Sequence, residues 1–350
     1  MRCTVTLRRL ARLAHVIGIP LFAVVWLASP TAQQIGTSTA SEFDTAPPIP
    51  VVAPRGGSVS VGPATNVRPV NLTPVCTFKP ASMAIQPDVF PVSAGIVVST
   101  DGKEWVVPGP VADGPFAVDL YNDCTMAGDN PEWEKQLDEV VIDKDGVDIT
   151  GFIFADNFYE LYVNGRIVAR DSIGMTPFNS TVVRFRAKYP MTYAIKAIDW
   201  ETRHGLGMEY QPYNIGDGGF IAYFSDGNGT HADWRAETFY IAPLDDPQCV
   251  RTKGGRDSSF CSQAVRPACA QSKPESCMAV HFPIPDGWTM PGFKDSAWPH
   301  AIVWRPIEVS FYRAYVNYAK RFGDAEFIWT RNIRLDNLVL ARYTARGPRR

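Results

Sequence analysis

The chain has 350 residues, of which 45% are hydrophobic, 12% aromatic and 20% charged, a composition that excludes a wholly disordered protein. Its 34 basic and 36 acidic residues give a net charge of −2; without the four arginines of the first twelve residues, 30 basic face 36 acidic, a net −6. Such a body lacks the basic stripe a nucleic-acid binder needs, so no nucleic-acid partner is expected.

Residues 1–32 read as a signal peptide. Arg8, Arg9 and Arg12 form a basic region, Val16–Leu27 an apolar run interrupted by Pro20, and Ala28, Ser29 and Ala32 supply small residues for cleavage. No later run is apolar enough to span a bilayer, so the expected location is secreted, extracellular or periplasmic. Residues 33–75 are rich in Pro, Thr and Ser and predict a disordered tether, because few side chains there could offset the entropy of ordering. The triplets at Asn71, Asn179 and Asn228 match the N-glycosylation pattern.

Strand signals dominate afterwards. Residues 76–135 predict a small β-rich segment with strands at 94–99 and 116–121, closed by a short helix over Asn130–Leu137 with Pro131 at its first position. The stretch 140–154 reads as a hairpin turning at Asp145–Gly146, and 158–170 as a second hairpin around Asn164–Gly165. Period 2 about that second turn places Tyr159, Leu161 and Val163 on one face, toward the core. Strands follow at 181–187 and 192–200, the latter apolar on both faces and so expected at the centre of a sheet, then at 219–225, 238–241, 301–304, 327–331 and 335–343. Phe311, Tyr315, Tyr318 and Phe322 stand at helical spacing and predict an amphipathic helix. Many short strands with few helices predict an all-β fold, a β-sandwich over 136–345.

Seven cysteines include Cys3, which leaves with the leader. Cys76, Cys124, Cys249, Cys261, Cys269 and Cys277 remain, an even number that suggests disulfides among 15 possible pairings. Four of them lie in an insertion, 245–280, too polar to hold itself by a core, so at least one bridge is expected there. Their gaps lack the close Cys pairs of a zinc ribbon.

Three phrases then occur in order: Ala155–Gly165, containing Leu161-Tyr-Val-Asn-Gly165; Gly216–Gly227, containing Gly218-Gly-Phe-Ile-Ala222; and Phe293-Lys-Asp-Ser-Ala-Trp-Pro-His-Ala301. Together they resemble the galactose-binding-like jelly roll, a domain appended to many secreted bacterial glycoside hydrolases and found also in free-standing cell-surface proteins. Lys294 departs from the pattern, as does Ala187–Pro190, where a Gly-Asn turn is usual. The resemblance implies a sandwich with Trp298 in a structural place and a carbohydrate partner; it does not fix a function.

Among chemistry-bearing residues, the loop 200–214 concentrates the groups sugar recognition uses. Trp200, Tyr210 and Tyr213 offer aromatic faces, and Glu201, Arg203 and His204 offer hydroxyl partners. The alternative has Trp200 in the core and the charges solvated. Asp143, Asp145 and Asp148 have calcium-like oxygen spacing, the one cofactor the sequence suggests, although a turn explains them equally. No Gly-x-Ser-x-Gly elbow and no His-x-x-x-His pair occur. The expected function is a secreted, non-catalytic carbohydrate- or glycan-binding protein; the alternatives are a structural or adhesive protein-binding module and a glycan-active hydrolase.

Overall fold

A computed structural model describes residues 51–63, 66–68, 94–122, 128–172, 179–199, 207–208, 214–309 and 313–349. Its strands are β1 (Ser58–Val61), β2 (Asn66–Arg68), β3 (Ala94–Val98), β4 (Glu104–Val107), β5 (Val118–Asn122), β6 (Gly128–Asp129), β7 (Glu139–Val141), β8 (Val147–Asp156) and β9 (Phe158–Val163). They continue with β10 (Arg166–Arg170), β11 (Asn179–Ala187), β12 (Met191–Ile198), β13 (Gly219–Phe224), β14 (Arg235–Leu244), β15 (Met278–His281), β16 (Ile302–Trp304), β17 (Phe327–Trp329) and β18 (Asp336–Ala345). The helices α1 (Trp133–Gln136), α2 (Ala268–Ser272) and α3 (Arg313–Val316) are about one turn each. No helix among the described residues is long and apolar enough to cross a membrane.

The protein is an all-β sandwich. A seven-stranded sheet, β1-β15-β14-β18-β12-β9-β10, faces an eight-stranded one, β16-β17-β13-β8-β11-β5-β6, in which β7 also pairs with β11. A smaller sheet, β2-β3-β4, completes the architecture. The β9–β10 hairpin turns at Asn164 (φ 50°) and Gly165 (φ 84°), the two left-handed residues a tight hairpin turn requires. Strand β12 lies between β18 and β9, and all eight of its residues are buried, as its two apolar faces suggest. Between the large sheets, Tyr159, Leu161 and Val163 pack with Tyr193, Phe224 and Trp234. Tyr193 stacks on Phe224 at 4.2 Å between ring centroids.

The outer face of the seven-stranded sheet is covered too. The β3–β4 hairpin and the following segment bring Val97 and Val107 onto Val59, Ala194 and Ile198, while the 245–299 stretch brings Cys269, Cys277 and Trp298 into the same second core. Within that cover, Cys249 bonds Cys261 and Cys269 bonds Cys277. Cys76 and Cys124 lie outside the described residues.

Several expectations need correction. Ser58–Val61, inside the stretch read as tether, is an edge strand paired with β15: Val59 is buried and the Ser60 hydroxyl finds a partner, which together offset the cost of ordering. The sandwich also has no boundary at 136, because β5 and β6 belong to the same sheet as β8. Residues 140–154 are not a hairpin. β7 runs parallel to β11, and β8 pairs antiparallel with the opposite edge of β11, so the Asp145–Gly146 turn joins strands separated by a third. The helix expected over 311–322 is α3 followed by a 3-10 turn, Ala319–Phe322; Tyr318 leaves helical geometry at φ −115° and its hydroxyl reaches the Leu120 carbonyl at 2.9 Å.

Candidate ligand site on the outer face of the seven-stranded sheet

Trp200, Glu201, Arg203, His204, Tyr210 and Tyr213 all lie outside the described residues. The calcium candidates are described, and each is engaged by protein groups. Asp143 accepts from the Lys188 backbone N–H at 2.9 Å, Asp145 pairs with Lys188 at 2.5 Å, and Asp148 pairs with Arg186 at 2.5 Å. These contacts hold the Asp145 and Asp148 carboxyls below their ordinary range, through the ammonium of Lys188 and the guanidinium of Arg186 respectively. No group of three His, Cys, Asp or Glu side chains among the described residues could hold a metal ion. Two glycosylation triplets are occluded: Asn179 and Asn228 are buried and donate to Asp171 and Asp226 at 2.7 Å each. Asn71 lies outside the described residues. Trp298 is buried against Phe239 and Phe293.

The most distinctive concave surface is one the sequence did not single out. Between β4, the middle of β14 and the end of β15, a cleft of about 230 Å³ is lined by Glu104, Trp105, Phe239, Tyr240, His281 and Phe282, with Pro110 beside them. Its floor is a three-ring stack. Trp105 lies on His281 at 5.2 Å and 17° between planes, and Tyr240, the cross-strand neighbour of His281, stacks on it at 5.1 Å and 27°. Trp105 is half-buried, so part of its indole remains open to the cleft.

A polar network holds the platform. The turn Asp101–Gly102, with Gly102 at φ 82°, closes the β3–β4 hairpin. The Asp101 carboxylate accepts from Ser99 at 2.5 Å and Ser58 at 2.8 Å and pairs with Lys103 at 2.8 Å, which holds its carboxyl well below the usual range. Ser99 in turn accepts the Trp105 indole N–H at 3.0 Å, which fixes the ring's orientation.

His281 Nε2 lies 2.6 Å from the Ser60 hydroxyl. Burial lowers the imidazole to about 3, opposed by the charge of Asp101, so His281 is neutral across the physiological range. A Ser–His pair resembles the start of a nucleophilic arrangement. Here Ser60 has no exposed surface, so an acyl group cannot approach its Oγ, and the pair acts as a brace between β1 and β15.

Beside the cleft, Glu160 and Lys196 form an ion pair at 2.6 Å, both buried. Glu160 also accepts from the Ala112 N–H at 2.8 Å and the Tyr162 hydroxyl at 2.6 Å, and Lys196 donates to the Pro110 carbonyl at 2.5 Å. Burial lowers the Lys196 ammonium, and Glu160 opposes that shift. The pair ties segment 110–112, one wall of the cleft, to the centre of the sheet. In the sequence, the Asp101–Gly102 turn before a tryptophan was the only local pointer to this site; His281 is far along the chain. No family model, no curated protein and no solved structure matches this chain.

Proposed function

We propose that this protein is an exported, non-catalytic β-sandwich protein that binds carbohydrate, with the Trp105 cleft as its site. The observation that carries the reading is the Trp105–His281–Tyr240 stack, a rigid aromatic platform beside polar groups in a concave surface. The apolar face of a sugar ring stacks on such a platform, while its hydroxyls need acceptors at the edge, which Glu104 provides. A cleft of about 230 Å³ falls below the ~300–1,000 Å³ typical of sites for drug-sized ligands, and so suits one sugar ring rather than a buried chain. A concave aromatic site favours sugar over protein, whose docking calls for a flatter apolar patch. The leader sequence, the bonded cysteines and the galactose-binding-like phrases support the same reading.

The test is a glycan array probed with the full chain, its Trp105→Ala variant and a Glu201→Ala/His204→Ala variant. The reading predicts sugar binding that Trp105→Ala weakens by about tenfold or more, as loss of a buried aromatic anchor does. Loss of binding only in the Glu201/His204 variant would move the site to the 200–214 loop. No binding to any glycan would overturn the function.

A further inference from the structure

The loop closed by Cys249–Cys261 builds a second recess, of different chemistry. Arg251 and Asp257 exchange backbone hydrogen bonds at 3.0 and 2.9 Å, so residues 251–257 form a small hairpin with Lys253-Gly-Gly-Arg256 at its tip. Gly254 (φ 80°) and Gly255 (φ 104°) make that tip possible, and a Cβ on Gly255 would meet Pro299 at 2.5 Å. The tip therefore lies directly against Pro299, and between it, His300, Thr330 and Arg331 a recess of about 80 Å³ remains.

The basic groups there have donors to spare. The Arg256 guanidinium lies with its carbon 4.1 Å from the Phe239 ring centroid and 4.2 Å from that of Phe282. Its Nη1 donates to the Thr238 carbonyl at 2.7 Å, and it forms no ion pair among the described residues. The nearby acid, Glu237, uses its oxygens on the backbone N–H groups of Thr238 at 3.0 Å and Arg256 at 3.1 Å. Lys253 has no ion-pair partner among the described residues either, and Arg331 pairs with Asp257 at 3.0 Å. Lys253, Arg256 and Arg331 thus line the recess against the single acid Asp257, and counting Glu237 still leaves one positive charge in excess.

We propose that this recess is a binding site for one compact oxyanion: a sulfate or phosphate group or a carboxylate. The half-buried Arg256 calls for a counter-charge, the exposed Lys253 and Arg331 add to the positive field at the mouth, and the arginine fork matches oxyanion geometry. The volume agrees, since 80 Å³ holds a few waters at ~30 Å³ each, room for one such group and not for a sugar chain. The source is either a free inorganic ion or an anionic substituent on a glycan. The recess is distinct from the Trp105 cleft, although Arg256 packs on Phe239 and Phe282, which line that cleft.

The test is calorimetry of the full chain with sodium sulfate, sodium phosphate, glucuronate and galactose 6-sulfate, at ionic strength matched with sodium chloride, together with the His300 ring resonance. Saturable binding is expected, with a His300 shift that chloride does not cause. Arg256→Met should weaken it by about tenfold or more, and the exposed Lys253→Gln by about threefold or more, while Trp105→Ala leaves sulfate and phosphate binding unchanged. If Arg256→Met does not fold, Lys253→Gln decides. Comparable affinity for free ions and sugar derivatives identifies an inorganic-ion site; tighter binding of the derivatives identifies a glycan substituent. Absence of binding by all four, or binding indifferent to Lys253→Gln, overturns the proposal.

Discussion

The two faces of the seven-stranded sheet are built from the same strands on opposite plans. Toward the sandwich interior β9 and β12 present Tyr159, Leu161, Val163, Tyr193, Ile195 and Ala197. Toward the outside they present Glu160 and Lys196, and neighbouring strands add Glu237, His281 and Arg342, all buried. The inner face is held by apolar packing against the second sheet. The outer face is held by specific polar contacts to its covers: Ala112 and Pro110 on the Glu160–Lys196 pair, Arg256 on Glu237, and the Trp288 carbonyl and Asp295 on Arg342. Burying charge costs more than burying hydrocarbon unless every group is partnered, so the outer face specifies where its covers dock. The Trp105 cleft lies on that face, in a gap its covers leave.

Four perturbations test this contrast. The largest effect is expected on the outer face. Lys196→Met leaves the Glu160 carboxylate without its cation at a fully buried position and should cost about 3–5 kcal/mol in denaturant unfolding. The double change Glu160→Leu/Lys196→Met should recover most of that loss. If the single and double variants are equally unstable, the loss in Lys196→Met does not come from an unpaired Glu160 charge.

On the inner face Leu161→Ala should cost about 2–5 kcal/mol, the price of a cavity in a close-packed core. Here no second substitution of a polar neighbour should rescue it. A loss well below about 1 kcal/mol would contradict the register of β9.

The pH dependence distinguishes the faces as well. Asp336 accepts from Ser258 at 2.6 Å and Thr330 at 2.5 Å, and burial raises its carboxyl to about 7; burial raises Glu237 to about 7 also, opposed by Arg256. The folded state therefore holds protons that the unfolded chain has released. Stability is greatest at mildly acidic pH, falls as pH rises from about 4 toward 7, and levels off above that, by on the order of 4 kcal/mol for Asp336. Unfolding measured across that range should show this slope, and Asp336→Asn should remove much of it. A wild-type protein equally stable at pH 5 and pH 7.5 would refute the assignment.

The smallest effect is expected at the insertion. Cys249→Ser/Cys261→Ser opens a loop of 12-residue separation and should lower stability by about 2–3 kcal/mol. The oxyanion recess should weaken with it, since Lys253 and Arg256 lie within that loop. Thiol titration of the denatured, unreduced protein should find neither cysteine free.

The legible parts of this protein are those whose signals are local. The Asn164–Gly165 turn and the alternation before it placed Leu161 correctly, and the crowding of four cysteines in a polar segment announced cross-links. What stayed hidden depends on distant partners. Glu160 and Tyr162 alternate with apolar residues as a solvent face would, and the cover at Pro110 and Ala112 makes Glu160 interior while Trp288 packs on Tyr162. The Asp145–Gly146 turn gave no hint that β11 would come between β7 and β8. Trp105 becomes a platform only because His281 meets it, braced by Ser60 from 221 residues away in the chain.

Trp105 is the proposed ligand platform. In ¹⁵N-labelled protein the indole N–H of Trp105, assigned by its disappearance in Trp105→Phe, reports on that ring alone. Titration with a sugar selected on the array should move this resonance saturably, with the same midpoint as calorimetric binding. A sugar that binds while the Trp105 indole resonance stays fixed would place the site elsewhere.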